Sequence, residues 1–311
     1  MAIRDASPAL ADVPADSPSF RVRHASTIRQ WRLYAHLFGR SFSSMLGLAL
    51  VMLFLVLAAF GPWLAPYPGD TTGAVKLAQR LLAPSWAHPF GTDEMGADIL
   101  SRVIVGTRTS LWIGLIITMV GAGIGVPLGI VAGYTRSAWI RGAIMRVTDL
   151  FLAVPGLALA LAVVAALGPG IGNCIAALSL VWWPGYVRLV EAKTLSVKEE
   201  LYVEASRAAG ARTPWVLWHH ILPGCLSPII VKLSMDMGLA VLSAASLGFI
   251  GLGAKPPNPE WGAMISVART YMPDWWWYSA FPGLAIFLTV LGFNLLGDGL
   301  RDILDTKSAS R

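Results

Sequence analysis

This sequence predicts an all-α, polytopic membrane protein with six transmembrane helices, and three observations carry that prediction. Of its 311 residues, 55% are hydrophobic and only 14% charged, against about a quarter charged in ordinary soluble domains. Six runs suit a bilayer core, which takes about 20 apolar residues to cross: 46–64, 111–133, 146–167, 171–190, 225–250 and 279–298. Lysine and arginine fall unevenly between alternate connections, and that asymmetry sets the direction of insertion.

The first 44 residues read as a cytoplasmic tail. Residues 1–25 are rich in Ala, Ser, Pro and Asp, a composition of disorder. Ile28–Gly39 reads as an amphipathic lead-in helix, and the first apolar run begins too late for a signal peptide. Residues 45–110 hold span one and a long loop, 111–298 the core spans, and 299–311 a second tail. The tail arginines (Arg4, Arg21, Arg23, Arg29, Arg32 and Arg40) group with Arg136, Arg141 and Arg146, with Arg188, Lys193, Lys198, Arg207 and Arg212, and with Arg301, Lys307 and Arg311. The opposite side holds only Lys76, Arg80, Arg102, Arg108, Lys255 and Arg269. The richer side is assigned to the cytoplasm, with both termini in it.

Each span carries its own irregularities. Gly121, Gly123, Gly125 and Gly129 give span two a small-residue face for close packing. Pro127, Pro155 and Pro184 are expected inside spans two, three and four, tolerated because bundle neighbours re-satisfy freed carbonyls. A GPG turn at 168–170 joins spans three and four. Trp275, Trp276 and Trp277 read as an interfacial anchor for span six. Cys174 and Cys225 lie at opposite ends of neighbouring spans, too far apart for a disulfide.

The charge of +6 is not gathered into a basic patch with interleaved aromatics, so nucleic-acid binding is not indicated. No GxxxxGK[ST] loop is present, so ATP has no phosphate cradle of that kind here, and no nucleophile constellation or metal-ligand cluster stands out. Gly91-Thr92-Asp93-Glu94 reads as a helix N-cap with acids in its first turn. A metal site from His88, Asp93 and Glu94 is the sharper and less favoured alternative, and contact with an external protein lies between them.

Two polar features inside the apolar sequence point to function. Residues 191–223 form a loop of two short helices: Ser196 and Glu199 make a capping box, and Leu201, Ala205, Ala208 and Ala209 form a small apolar stripe. Gly210 ends that helix, Thr213–Pro214 open the next, and Leu222–Pro223 stop it before span five. Glutamates at 199, 200 and 204, with alanine in place of bulky anchors, favour docking into a protein groove over lying on lipid. Lys232 and Asp236 then sit inside span five at i, i+4 spacing, where charges are expensive and must face the bundle or a wet cavity. They read either as a self-neutralising pair or as the lining of a path for a zwitterion.

Glu204-Ala205-Ser206, Gly210 and His220-Ile221-Leu222-Pro223 resemble the EAA loop of bacterial ABC importer permeases, with Ser206 replacing the third small residue. HPFGTDEMGADILSRVIVGTRTSLWIG at 88–114 and SLGFIGLG, PPNPEWGAMI and FPGLAIFLTVLGFNLLGDGLRDILD over 246–305 resemble the dipeptide, oligopeptide and nickel permeases of the DppC/OppC type. Ala97 stands where that pattern has arginine. The resemblance, over about 45–305, implies the type I importer permease fold in the bacterial inner membrane. It also implies a second permease of the DppB/OppB type, two ATPase subunits that bind ATP and magnesium, and an extracytoplasmic binding protein. This chain would bind no cofactor, and Glu204, Ala205, Ser206, Gly210, Leu222 and Pro223 would contact the ATPase. Asp93 and Asp98 would belong to the extracytoplasmic face. Lys232 and Asp236 depart from the pattern, so no role is carried to them. The cargo is expected to be a di- or oligopeptide or a related solute; an opine or nickel chelate, and an ion-coupled secondary transporter using Lys232 and Asp236, are the alternatives.

Overall fold

The computed structural model describes residues 39, 41–254 and 257–309. The expected disorder of 1–25, the lead-in helix apart from Gly39, and Lys255 lie outside them. Among the described residues the secondary structure is helical, with one isolated bridge between Thr92 and Asp98.

Helix α1 spans Phe42–Leu64, capped by Ser41, whose side chain accepts from the Ser44 amide. Helix α2, Ile99–Tyr134, is longer than its apolar run because it begins well outside it, with Asp98 as the N-cap. The start expected near Thr92 is therefore corrected. The chain there is held in a turn by Asp93, whose Oδ1 accepts from the amides of Met95 and Ala97, so the helix waits for the next acid.

The third expected span is two helices, α3 (Ala138–Ala153) and α4 (Gly156–Leu167), bent by 86°. Pro155 is thus a break and not an interior kink: it has no N–H to donate to α3 and restricts Val154 to an extended conformation. Both arms contact α5, Ile171–Val197. Arg141 pairs with Glu191 and Asp149 with Arg188 in the first arm, and Phe151 meets Trp183 edge-on near the break. In the second arm, Ala160 and Val164 pack beside Cys174, Ala177 and Leu178.

Among the described residues, four helices are long and apolar enough to cross a membrane, five if the bent pair is one span. The fourth expected span, α5, has the length but carries Arg188, Glu191 and Lys193 in its second half. It is clasped between α2, α4 and α8 rather than bathed in lipid, so its sequence needs less apolarity. Gly129 shows how close that clasp is: a Cβ there would lie 2.7 Å from the Val190 Cβ. Gly123, expected on the same face, has nothing within 4 Å and plays no part in it.

The expected loop helices also shift. Helix α5 runs on through Ser196, so the Ser196–Glu199 pair sits at its end and opens nothing. Helix α6 is Leu201–Ala208, and α7 is Thr213–Val216. A single π turn, Leu217–Ile221, then joins α7 to α8, Leu222–Phe249. Leu222–Pro223 therefore stops nothing; proline in a first turn has no N–H that the helix needs. On the opposite side lie the short helix α9, Trp261–Ala268, and the final helix α10, Trp277–Ala309. Of the three tryptophans before α10 only Trp276 is well exposed, whereas Trp277 is buried and Trp275 packs on Tyr271. Only Trp276 is thus left open for the expected interfacial contact, because packing against neighbouring residues covers the other two. Both cysteines are buried and free.

Candidate functional site

Three polar places stand out, and they differ in how completely they satisfy themselves. The first is the elbow formed by α6, α7 and the π turn. Val203 is fully buried and packs with Val190, Val197, Val216, Ile221, Cys225 and Ile229, fixing α6 to the ends of α5 and α8. Gly210 has φ +84°, and the amides of Gly210 and Ala211 bond to the carbonyls of Arg207 and Ser206. That is the Schellman closure, for which glycine is the least strained residue. Arg207 donates to the Lys198 carbonyl at 3.0 Å and lies over the Tyr134 ring, while Lys198 donates to the Gly133 carbonyl at 3.1 Å. These two cations tie the elbow to the end of α2, a role the spacing of the sequence did not reveal.

Everything the elbow does not bury faces outward. Glu204 and Ala205 are exposed, as are Ala208 and Ala209. Leu201 is 81% and Trp218 70% exposed. Ser206 and Leu222 are half-buried and Pro223 is exposed. The six residues predicted as one contact set thus lie in and beside the elbow, with Glu204, Ala205, Gly210 and Pro223 exposed and Ser206 and Leu222 half-buried.

The second place is inside the bundle. Lys232 Nζ lies 3.2 Å from Asp236 Oδ1 and 3.1 Å from Oδ2, so the expected pair is formed. Its ammonium also sits 5.0 Å from the centroid of the Tyr186 ring. Asp236 is buried, Lys232 is partly open, and the buried Tyr186 hydroxyl lies beside Asp236. Tyr186 was not among the predicted residues; nothing in its local sequence marks it, and only the packing of α5 on α8 brings it there.

The third place is the 65–98 loop, a closed network. Asp98 is fully buried: Oδ2 accepts from the Ser101 amide at 2.8 Å and its hydroxyl at 2.7 Å, and Oδ1 lies 3.0 Å from His88 Nδ1. Asp70 accepts from the Asp98 amide and pairs with Lys76 at 2.6 Å. Asp93, also fully buried, pairs with Arg102 at 2.5 Å. Glu94 takes the Tyr278 hydroxyl. His88, Asp93 and Glu94 thus turn to three different partners and do not converge on one metal position. Among the described residues no three His, Cys, Asp or Glu side chains do. Glu260, missed by the sequence reading, caps α9 by accepting from the Gly262 and Ala263 amides at 2.7 and 2.8 Å. Burial pushes its carboxyl above the usual range, against the pull of those two donors.

Comparison with known proteins fits this architecture. Residues 125–309 match the family described as binding-protein-dependent transport system inner membrane component, and 29–84 match the N-terminal TM domain of oligopeptide transport permease C. The chain is 45% identical over 262 residues to the probable D,D-dipeptide transport system permease protein DdpC of Escherichia coli (strain K12), covering 84% of this chain and 87% of that one. It is 43% identical over 289 residues to the glutathione transport system permease protein GsiD of Pectobacterium atrosepticum, covering 93% and 95%. The fold is similar to a chain of the MetNI methionine ABC transporter in an inward facing conformation, with a TM-score of 0.55, 19% identity and coverage of 66% and 97%. The bundle, the elbow and these likenesses agree: the chain belongs to the binding-protein-dependent transport system inner membrane components, as a multi-pass inner-membrane permease of an ABC importer.

Proposed function

We propose that this permease carries peptides or small peptide-like solutes inward, driven by ATP hydrolysis on two separate ATPase subunits that grip the α6–α7 elbow. The observation that supports this is the elbow's asymmetry: its inner side is locked to the bundle through Val203, while Leu201, Glu204, Ala205 and Trp218 lie open. A surface this apolar beside acids suits a groove in a partner better than water. Glu204, Ala205, Ser206, Gly210, Leu222 and Pro223 are its contact and hinge residues. The relatives named for D,D-dipeptide and glutathione transport support a peptide-like cargo. The cargo passes to this chain and a second, DppB/OppB-type permease from an extracytoplasmic binding protein, with both termini of this chain cytoplasmic. Asp93 and Asp98 contribute to the outer face from beneath, by shaping the loop rather than touching the visitor.

Lys232 and Asp236 line the path on this reading, carboxylate to the ammonium and amine to the acid. Replacing Ala205 with cysteine and crosslinking the assembled complex tests the grip: a product with the ATPase is expected, and none would defeat it. Uptake by the double variant Lys232→Met with Asp236→Leu tests the path. Lower uptake with unchanged basal ATP hydrolysis is expected, and undiminished uptake would remove the pair from it.

A further inference from the structure

Helices α1 and α2 approach each other closely near one end of α1. There Gly61 faces the Ile104 carbonyl, 3.1 Å from where a Cβ would stand. Below it α1 swings onto α10, where Gly47 lies against Leu295 and Leu296 and Gly292 against Leu50 and Val51. The divergence leaves a cleft of about 560 Å³ between α1 and α2, floored by α8 and α10. That size is ordinary for a ligand site. Its walls include Leu55, Ala58, Leu115, Met119, Met237 and Phe293. The two hydroxyls in the wall are already used, Thr118 on the Gly114 carbonyl and Ser234 on that of Phe293.

That leaves one charged group in the wall. Arg108 lines the cleft, is exposed, and among the described residues makes no hydrogen bond or ion pair. It stands one turn before the apolar run that opens at Leu111, which is where bilayer meets water. From Arg108 to Met119 along α2 is about 16 Å at 1.5 Å per residue, roughly half of a 30 Å hydrocarbon core and so the depth of one leaflet. An unpaired guanidinium at phosphate level above an apolar slot one leaflet deep matches one kind of molecule. We propose that this cleft seats a phospholipid of the leaflet on the side of the 65–98 loop, its phosphate forked on Arg108 and one acyl chain laid along α2 as far as Met119. Guanidinium and phosphate match in geometry as well as in charge.

The test uses the whole complex, purified in mild detergent, equilibrated with vesicles of phosphatidylglycerol and phosphatidylethanolamine and then stripped of loose lipid. Native mass spectrometry counts the phospholipid that stays. Arg108→Gln should weaken retention of one phospholipid roughly fivefold, the effect of one basic group near a membrane phosphate. Arg108→Lys should restore most of it, and Ala58→Trp, which fills the slot and leaves the arginine, should also remove it. Equal lipid on wild type and both loss variants would overturn the proposal. A crosslink from Ala58→Cys to the second permease subunit would overturn it as well, by showing that protein fills the cleft. Should Arg108→Gln fail to assemble, Ala58→Trp and the cysteine crosslink still decide.

Discussion

The two polar ends of this bundle are built on opposite principles. At the 65–98 end, Asp70, Asp93, Asp98 and Glu260 are all almost fully buried, and each is answered by amides, hydroxyls or a cation of the same chain. At the elbow end Glu204, Leu201 and Trp218 face outward, and the Glu204 carboxylate makes no hydrogen bond or ion pair among the described residues. A buried acid is tolerable only when paired and hydrogen-bonded, so the first end is one that the chain completes alone. An exposed mixture of apolar rings and acids around a locked turn is finished by something else. Charge in a sequence therefore says little until its partners are known: the acids of the 88–98 segment are satisfied within the chain, and the sparser 201–218 segment is the one proposed above as the working surface.

That contrast predicts which end fails in which way. Asp98→Ala should have the largest effect, because it strips His88 and the Ser101 amide of their buried acceptor. Removing one side of such a network costs about 3–5 kcal/mol. Thermal unfolding of the purified permease in detergent reads it, and an unchanged Tm would mean that the loop is not held by its acids. Glu204→Lys should do the reverse. Stability should stay within about 0.5 kcal/mol, as for other surface changes. Uptake and substrate-stimulated ATP hydrolysis should drop about tenfold or more, since reversing a charge across an interface is expensive. Were both variants to act on stability alike, the two ends would not differ in kind.

Much of this was readable in the sequence. Period and composition placed α1, α8 and α10 closely, and the closure of α6 at Gly210 followed from one residue type. The i, i+4 pairing of Lys232 with Asp236 was equally plain, being local to one helix. What stayed hidden needed long-range knowledge. A proline in an apolar run reads alike whether the helix bends or breaks, and only the 86° angle between α3 and α4 shows that Pro155 separates two arms. The capping box at Ser196 lost to continuation of α5, whose last turns gain from packing on α2. Thr92 with Asp93 and Glu94 behind it offered a helix start as good as Asp98 in sequence, and the choice between them rests on Arg102 pairing with Asp93 and on His88 meeting Asp98, nine and ten residues away.

Gly210 sharpens the comparison from the elbow side. Its φ of +84° is a conformation that an L-residue adopts at about 1–2 kcal/mol. Gly210→Ala should therefore lower the elbow's own stability by about that much, a smaller change than at Asp98, while coupling falls because the open face is re-aimed. Proteolysis or hydrogen exchange confined to 198–221 reads the first effect. A loss spread over the whole bundle would mean that the elbow is not an independent piece of machinery.

The smallest effect expected comes from the closed end, through Glu260. Burial raises its carboxyl above the ordinary value of 4.5, so in the interval between that value and the raised one the folded chain holds a proton that the unfolded chain has released. Stability in that interval must fall as pH rises, because folding then takes up protons. Below the interval both states are protonated and the difference vanishes; above it the buried carboxylate stays ionised, held by the Gly262 and Ala263 amides. Glu260→Gln has no such titration. The Tm of the wild-type permease, taken relative to that of the variant, should rise as the medium is acidified towards pH 4.5 and then level off. Since the two amides offset part of the burial, the rise should be smaller than the change at Gly210. A relative Tm that falls on acidification would show that the cap lowers the carboxyl instead, and that this end tolerates its charges by stronger hydrogen bonding than its burial implies.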